Sequence, residues 1–148
     1  MDHWFLLILM RYVHIASAIL LVGGTAFVAI AMRPSMRLLE ENLAGSVQKM
    51  AMDRFMRVVW VGIAGLIVSG TYNWVVSASI YKDMGPVGNV LIGSKVLAAF
   101  ALFALVWANR VGLVKLKPKA YLMINLHLAA LVILMAVVLR YFRLEHAA

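Results

Sequence analysis

Apolar residues in this chain are gathered into four long segments separated by short polar stretches. The segments cover about residues 4–32, 55–77, 87–111 and 120–142. Each one is long enough for a helix to cross the hydrocarbon core of a bilayer, which takes about 20 residues. The pattern therefore predicts an all-α integral membrane protein, a four-helix transmembrane bundle that forms a single domain over residues 1–148.

The polar stretches predict where these helices end. Arg33 and Pro34 close the first segment, because a residue that precedes proline avoids the α-helical region. A polar loop is expected from there to about Met52, with a short interfacial helix over residues 35–41.

Small residues mark one face of the second segment. Gly62, Gly65 and Ser69 fall on a single helical stripe. Small side chains let two helix backbones come close together in a membrane. The stripe therefore predicts a close helix–helix contact.

Composition agrees with a membrane protein and narrows its chemistry. Hydrophobic residues make up 65% of the chain and charged residues 14%, too few to cover a soluble domain of this length. The net charge of +8 is not accompanied by a basic face or binding motif, so nucleic acid is not an expected partner. The chain has no cysteine, which excludes disulfides and thiolate metal sites.

The distribution of basic residues predicts the orientation of the helices. Cytoplasmic loops of membrane proteins are rich in Lys and Arg. We therefore expect a protein of the bacterial inner (plasma) membrane whose N- and C-termini both lie outside, on the periplasmic or external side. Nine basic residues lie on one side, Arg33, Arg37, Lys49, Arg54, Arg57, Arg110, Lys115, Lys117 and Lys119, and three on the other, Lys82, Arg140 and Arg143.

Two ionisable residues interrupt the first apolar segment. Arg11 and His14 are three positions apart and so share a helix face. Such groups are costly in lipid and normally face the interior of a bundle or a bound ligand. Neutral imidazole is a good ligand for haem iron and for copper, so His14 is the best candidate for a cofactor ligand. The alternative is a hydrogen bond across helices to Ser17, Tyr72 or Asn73.

Lys95 is a third ionisable residue within an apolar segment, and its charge also needs a partner. The four segments contain no Asp or Glu to neutralise Lys95 or Arg11. Haem propionates would supply the missing negative charge, and Tyr72 and Asn73 lie at a similar depth in the second segment. Alternatively, Arg11 extends its side chain to lipid phosphate, and a neutral Lys95 acts as a ligand or base.

His127 is a second candidate metal ligand, in the fourth segment. Met123 lies one turn before it, and together they could form a metal site. An interhelical hydrogen bond from His127 to Asn109 is the alternative. Many of the ten methionines gather toward the basic side, where thioethers could bind Cu(I), although methionine is also an ordinary apolar filler.

Several short motifs together resemble a known membrane family. They are Arg11-Tyr12-Val13-His14, Gly23-Gly24, Arg54-Phe55-Met56-Arg57, Ser69-Gly70-Thr71-Tyr72-Asn73 and Ser94-Lys95-Val96-Leu97. In this combination the chain resembles the copper resistance protein D (CopD)-like four-helix domain. It is more distantly similar to HemJ-type protoporphyrinogen oxidases. The resemblance implies a four-helix layout, a bound haem b, and functional positions at His14 and Lys95.

The sequence thus leads to one functional hypothesis and two alternatives. The hypothesis is a haem b protein in electron transfer or haem-linked oxidation, with His14 as axial ligand; if it is an enzyme, it is a membrane oxidoreductase. The first alternative is a copper transport or resistance protein. The second is an accessory membrane subunit without a cofactor. The lipid bilayer is the expected partner in every case, and a homo-oligomer is compatible with each.

Overall fold

The computed structural model describes residues 3–114 and 116–145, except for the side chains of His3, Arg143 and Glu145. Lys115 and the side chain of Arg143, both counted in the orientation argument, lie outside the described part. Helices are the regular secondary structure of this part, which contains no strand. Its elements are α1 (His3–Phe27), a π-helical segment (Val28–Met32), α2 (Arg33–Met36), α3 (Glu41–Val76), α4 (Ala78–Asp83), α5 (Gly85–Arg110) and α6 (Pro118–Glu145).

Four helical stretches in the described residues are long and apolar enough to cross a membrane. They are Trp4–Met36, Glu41–Val76, Gly85–Arg110 and Pro118–Phe142. Helices suit this setting because all their backbone hydrogen bonds are made within the segment. The prediction of an all-α chain with four candidate membrane-spanning helices is confirmed.

The distribution of side chains between interior and surface also fits lipid as the solvent. Each long helix exposes large apolar side chains, such as Ile19 (67% exposed), Val61 (72%), Leu97 (71%) and Val137 (60%). In contrast, the small polar Ser69 is completely buried. A water-soluble protein rarely exposes apolar surface on this scale. These surfaces are suited to contact with lipid tails.

Helical backbone continues through Pro34, where the sequence predicted an end. The π-helical segment precedes α2, and the Arg33 N–H donates to the carbonyl of Val28, five residues back. Proline sits at the start of α2, a position where its missing N–H is tolerated. The Ser35 hydroxyl donates to the Ala31 carbonyl at 2.9 Å. The wider π turn thus accommodates the proline ring, which would clash inside a regular α-helix.

The predicted polar loop after α2 is mostly helical. Only a short turn separates α2 from α3, and α3 begins at Glu41 rather than near residue 55. Its 36 residues are about 54 Å long at 1.5 Å per residue. That exceeds the bilayer core of about 30 Å. The polar first part of α3 is therefore long enough to extend beyond the hydrocarbon.

The chain divides into two compact units, residues 1–73 and 74–148. In the first unit, α1 and α3 run antiparallel. Contacts made further along α1 in sequence are made with residues earlier in α3. Successive contacts join Ser17 to Gly65 and Leu21 to Gly62. The predicted close approach at the Gly62–Gly65 stripe is confirmed, and α1 is the helix that makes it.

The second unit contains α4, α5 and α6. A small apolar cluster is formed by Tyr81, Met84 and Leu139, with Leu91 and Phe142 packed around it. Gly85, the first residue of α5, has a φ of +63°, a left-handed conformation that glycine adopts without steric cost. A single four-helix domain would require the two units to pack together, and this part of the sequence analysis stays a prediction.

Candidate functional site

The candidate site lies on the packing seam of α1 and α3. We define this seam by its contacting residues, His14, Ser17, Leu21 and Gly24 on α1 with Phe55, Gly62, Gly65, Ser69 and Gly70 on α3. Intervals of three and four residues place the α1 members on one helix face. Large side chains fit against glycines: Leu21 against Gly62, and the Phe55 ring against Gly24. This fit holds α1 against α3 along the part of the seam that follows His14.

His14 is held against α3 by a hydrogen bond. Its side chain is half-buried, and its Nδ1 atom lies 3.0 Å from the Ser69 hydroxyl oxygen. The Ser69 hydroxyl donates in turn to the Gly65 carbonyl at 2.5 Å. Gly70 leaves room for the ring, because a Cβ atom there would lie 3.3 Å from the Cε1 atom of His14. The imidazole therefore has a defined position on the seam.

Arg11 lies three residues before His14 on α1, and its side chain is exposed. The two residues thus share a helix face at different degrees of burial. Because the guanidinium is at the surface, it can reach lipid phosphate or the acidic edge of a ligand near His14.

Asn73 and Tyr72 follow Ser69 on α3, and both are half-buried. Asn73 lies one turn beyond Ser69 on the same face. Its Oδ1 atom is buried and has no hydrogen-bond partner among the described residues. An unpaired buried acceptor costs free energy. Asn73 is thus a polar group in the candidate site with unused hydrogen-bonding capacity.

Lys95 lies in the second unit, in the first half of α5. It is half-buried, and its neighbour Ser94 donates a hydrogen bond to the Leu91 carbonyl at 3.0 Å within the same helix. The structure therefore places this amine on a candidate spanning helix, as the sequence predicted.

His127 differs from His14 in its surroundings. Its side chain is exposed on α6, and its Nδ1 atom lies 2.7 Å from the Met123 carbonyl oxygen one turn earlier. The hydrogen bond seen in the described structure thus stays within α6 and does not go to Asn109. Asn125 of the same helix is buried, and its amide donates to the Tyr121 carbonyl at 2.9 Å.

No group of three or more His, Cys, Asp or Glu side chains that could hold a metal ion is found in the described residues. The residues of the candidate site are instead one histidine with its serine partner, a nearby arginine and an unpaired amide oxygen. Such a set can hold a ligand that brings most of its own donor atoms.

The fold and the site define a class of protein. The chain is an α-helical membrane protein with a polar histidine–serine pair between two of its candidate spanning helices. Comparison with protein families, with curated proteins and with solved structures finds no match to this chain.

Ser69 is the site residue that the sequence does not single out as a partner of His14. The sequence suggests Ser17, Tyr72 and Asn73 for that role, and it assigns Ser69 to the small-residue stripe and to a family-like motif. The stripe itself contains the signal, because a polar residue aligned with two glycines lies at the contact of the two helices.

Proposed function

We propose that the chain is a membrane haem protein in which His14 is an axial ligand of haem b, active in electron transfer or haem-linked oxidation. The observation that carries the proposal is the placement of His14: a half-buried imidazole on a candidate spanning helix, fixed by a hydrogen bond to the completely buried Ser69. Ligating histidines usually have their second ring nitrogen held in this way.

The residues around His14 suit a porphyrin better than a bare metal ion. A porphyrin supplies four nitrogen ligands, so one histidine suffices to attach its iron to the protein. Arg11 on the same helix face can pair with a propionate, and the unpaired amide oxygen of Asn73 can accept a hydrogen bond from the ligand or its water. A copper ion would need several protein donors at one point.

Lys95 supports an anionic ligand by its charge. The acidic residues of the chain, Asp2, Glu40, Glu41, Asp53, Asp83 and Glu145, all lie outside the apolar segments. An ammonium group in a spanning helix is costly without a counter-charge, so Lys95 favours an anionic cofactor over a bare metal cation. The resemblance to CopD-like and HemJ-type proteins supports the same assignment of His14 and Lys95.

The visible spectrum of the purified protein tests the proposal. We expect a Soret band in the wild type and at least a tenfold loss of bound haem in His14→Ala, since the iron loses its protein ligand. His127→Ala is the matched control, because it also removes a histidine from a candidate spanning helix. It should retain the wild-type haem content.

Other results would favour the other functions. A colourless protein that carries copper, lost in His14→Ala, would identify the copper-transport alternative. A colourless protein without metal would identify the accessory subunit. Loss of haem in His127→Ala but not in His14→Ala would move the ligand to α6.

A further inference from the structure

The two hydrogen bonds of Ser69 determine which nitrogen of His14 carries the proton. A serine hydroxyl has one hydrogen to donate. The Ser69 oxygen lies 2.5 Å from the Gly65 carbonyl oxygen. Two oxygens at this distance repel each other unless a proton lies between them, so the hydroxyl hydrogen points to Gly65. It is then not available to His14.

The remaining contact of Ser69 must therefore be made with a lone pair of its oxygen. His14 Nδ1 lies 3.0 Å from that oxygen, so Nδ1 must be the donor and must carry a hydrogen. In a neutral imidazole the other nitrogen, Nε2, then has the lone pair. Ser69 is completely buried, so water does not compete for either hydrogen bond.

We propose that Ser69 is a positioning residue that holds His14 in the Nδ1–H tautomer and so makes Nε2 the atom that coordinates a metal. The tautomer is argued from the two hydrogen bonds of Ser69, whereas its use in haem ligation rests on the proposed function. The relay from His14 through Ser69 to the Gly65 carbonyl also increases the electron density on Nε2, because a hydrogen-bonded Nδ1–H makes an imidazole more basic.

The proposal assigns different roles to the two serines of the seam. Ser17 is also half-buried on α1, and its hydroxyl lies against Gly65, where an added Cβ atom would come within 2.5 Å of it. The hydrogen bond shown for His14 goes to Ser69. Ser17→Ala is therefore a matched control: it removes the same group from the same seam but should leave the tautomer unchanged.

Nitrogen-15 NMR of the full-length protein labelled at histidine tests the tautomer without haem. The His14 signals are assigned by their loss in His14→Gln. In wild type at pH 8 we expect a protonated Nδ1 and an unprotonated Nε2. Ser69→Ala should convert most of His14 to the Nε2–H form, and Ser17→Ala should not. An Nε2–H form in wild type, or an unchanged Nδ1–H form in Ser69→Ala, would overturn the proposal.

The nitrogen-15 NMR spectrum of the wild type decides which nitrogen of His14 is protonated, even if Ser69→Ala does not fold. A second readout applies to the haem-bound protein: Ser69→Ala should reduce haem affinity by about 10- to 100-fold and raise the reduction potential. A less basic ligand stabilises ferric iron less, which explains the direction of the shift. A protein with the Nδ1–H form but no haem would refute the proposed function and leave the role of Ser69 intact.

Discussion

Ser69 and Asn73 illustrate two outcomes for a polar side chain between helices. Ser69 forms two hydrogen bonds and is completely buried. Asn73, one turn further along α3, has a buried Oδ1 atom without a partner among the described residues. In hydrocarbon an unpaired polar atom is costly, since no water replaces the missing partner. The contrast locates the unused hydrogen-bonding capacity of the site at Asn73.

We expect Asn73→Leu to leave the free energy of unfolding of the ligand-free protein unchanged or to raise it by about 1 kcal/mol. The variant removes an unsatisfied acceptor and keeps a similar volume. The same variant should bind haem less tightly if Asn73 contacts the ligand. Unfolding in detergent, measured with and without haem, checks both effects.

Asn125→Leu is the control for this prediction. Asn125 is buried on α6, but its amide donates to the Tyr121 carbonyl. Its replacement should lower stability by about 1 kcal/mol. Equal losses of stability in the two variants would show that Asn73 is satisfied in the folded protein.

At the scale of elements, the seam between α1 and α3 depends on pairs of large and small residues. The Phe55 ring occupies the space in which a side chain at Gly24 would lie. The adjacent Gly23, in contrast, has open space where a side chain would begin, since no described atom beyond its chain neighbours and its own helix backbone lies within 4 Å of an added Cβ atom. Two consecutive glycines of one helix thus have different roles.

Gly24→Ala should lower the free energy of unfolding by about 1–3 kcal/mol, because the added methyl group overlaps the Phe55 ring. Gly23→Ala should be neutral or should stabilise the protein by up to about 1 kcal/mol, since alanine favours helix more than glycine does. Unfolding of both variants in mixed micelles measures the difference. Similar effects of the two substitutions would contradict the packing of Phe55 against Gly24.

The sequence predicted the existence of the spanning helices better than their ends. Apolar length indicates which residues can lie in lipid, and that signal is local. It does not report helix in polar sequence, such as the first turns of α3 from Glu41. The predicted end at Pro34 was wrong because the π-helical turn before it lets the helical backbone continue through the proline.

The sequence likewise singled out His14 of the candidate site but not its hydrogen-bond partner Ser69. His14 was found from sequence because an ionisable group in an apolar segment is costly wherever its partner lies. The identity of its partner depends on the axial offset between two helices. That offset is set by the fit of Leu21 and Phe55 against particular glycines, and sequence spacing alone does not contain it.

At the scale of the whole molecule, the basic residues support a proposed orientation with both termini outside. The charged first part of α3, with Lys49, Arg54 and Arg57 exposed, belongs to the side that carries nine basic residues. By the positive-inside rule we propose that this side is cytoplasmic.

Cysteine labelling tests this orientation cleanly, since the chain has no native cysteine. Ser46 on α3 and Asp83 at the end of α4 are both exposed and lie on opposite sides in the proposed topology. Ser46→Cys should resist a membrane-impermeant maleimide in intact cells and react after lysis. Asp83→Cys should react in intact cells, and the reverse pattern would require the opposite orientation.

The hydrogen bond between His14 and Ser69 also has a consequence for synthesis on the ribosome. The two residues are 55 positions apart. At about 5–20 residues per second, His14 is synthesised about 3–11 s before its partner. During that interval α1 carries its imidazole without the serine that holds it in the folded protein. The full stability of α1 in the bilayer is therefore reached only after α3 has been made, so the first two spanning helices mature as a pair.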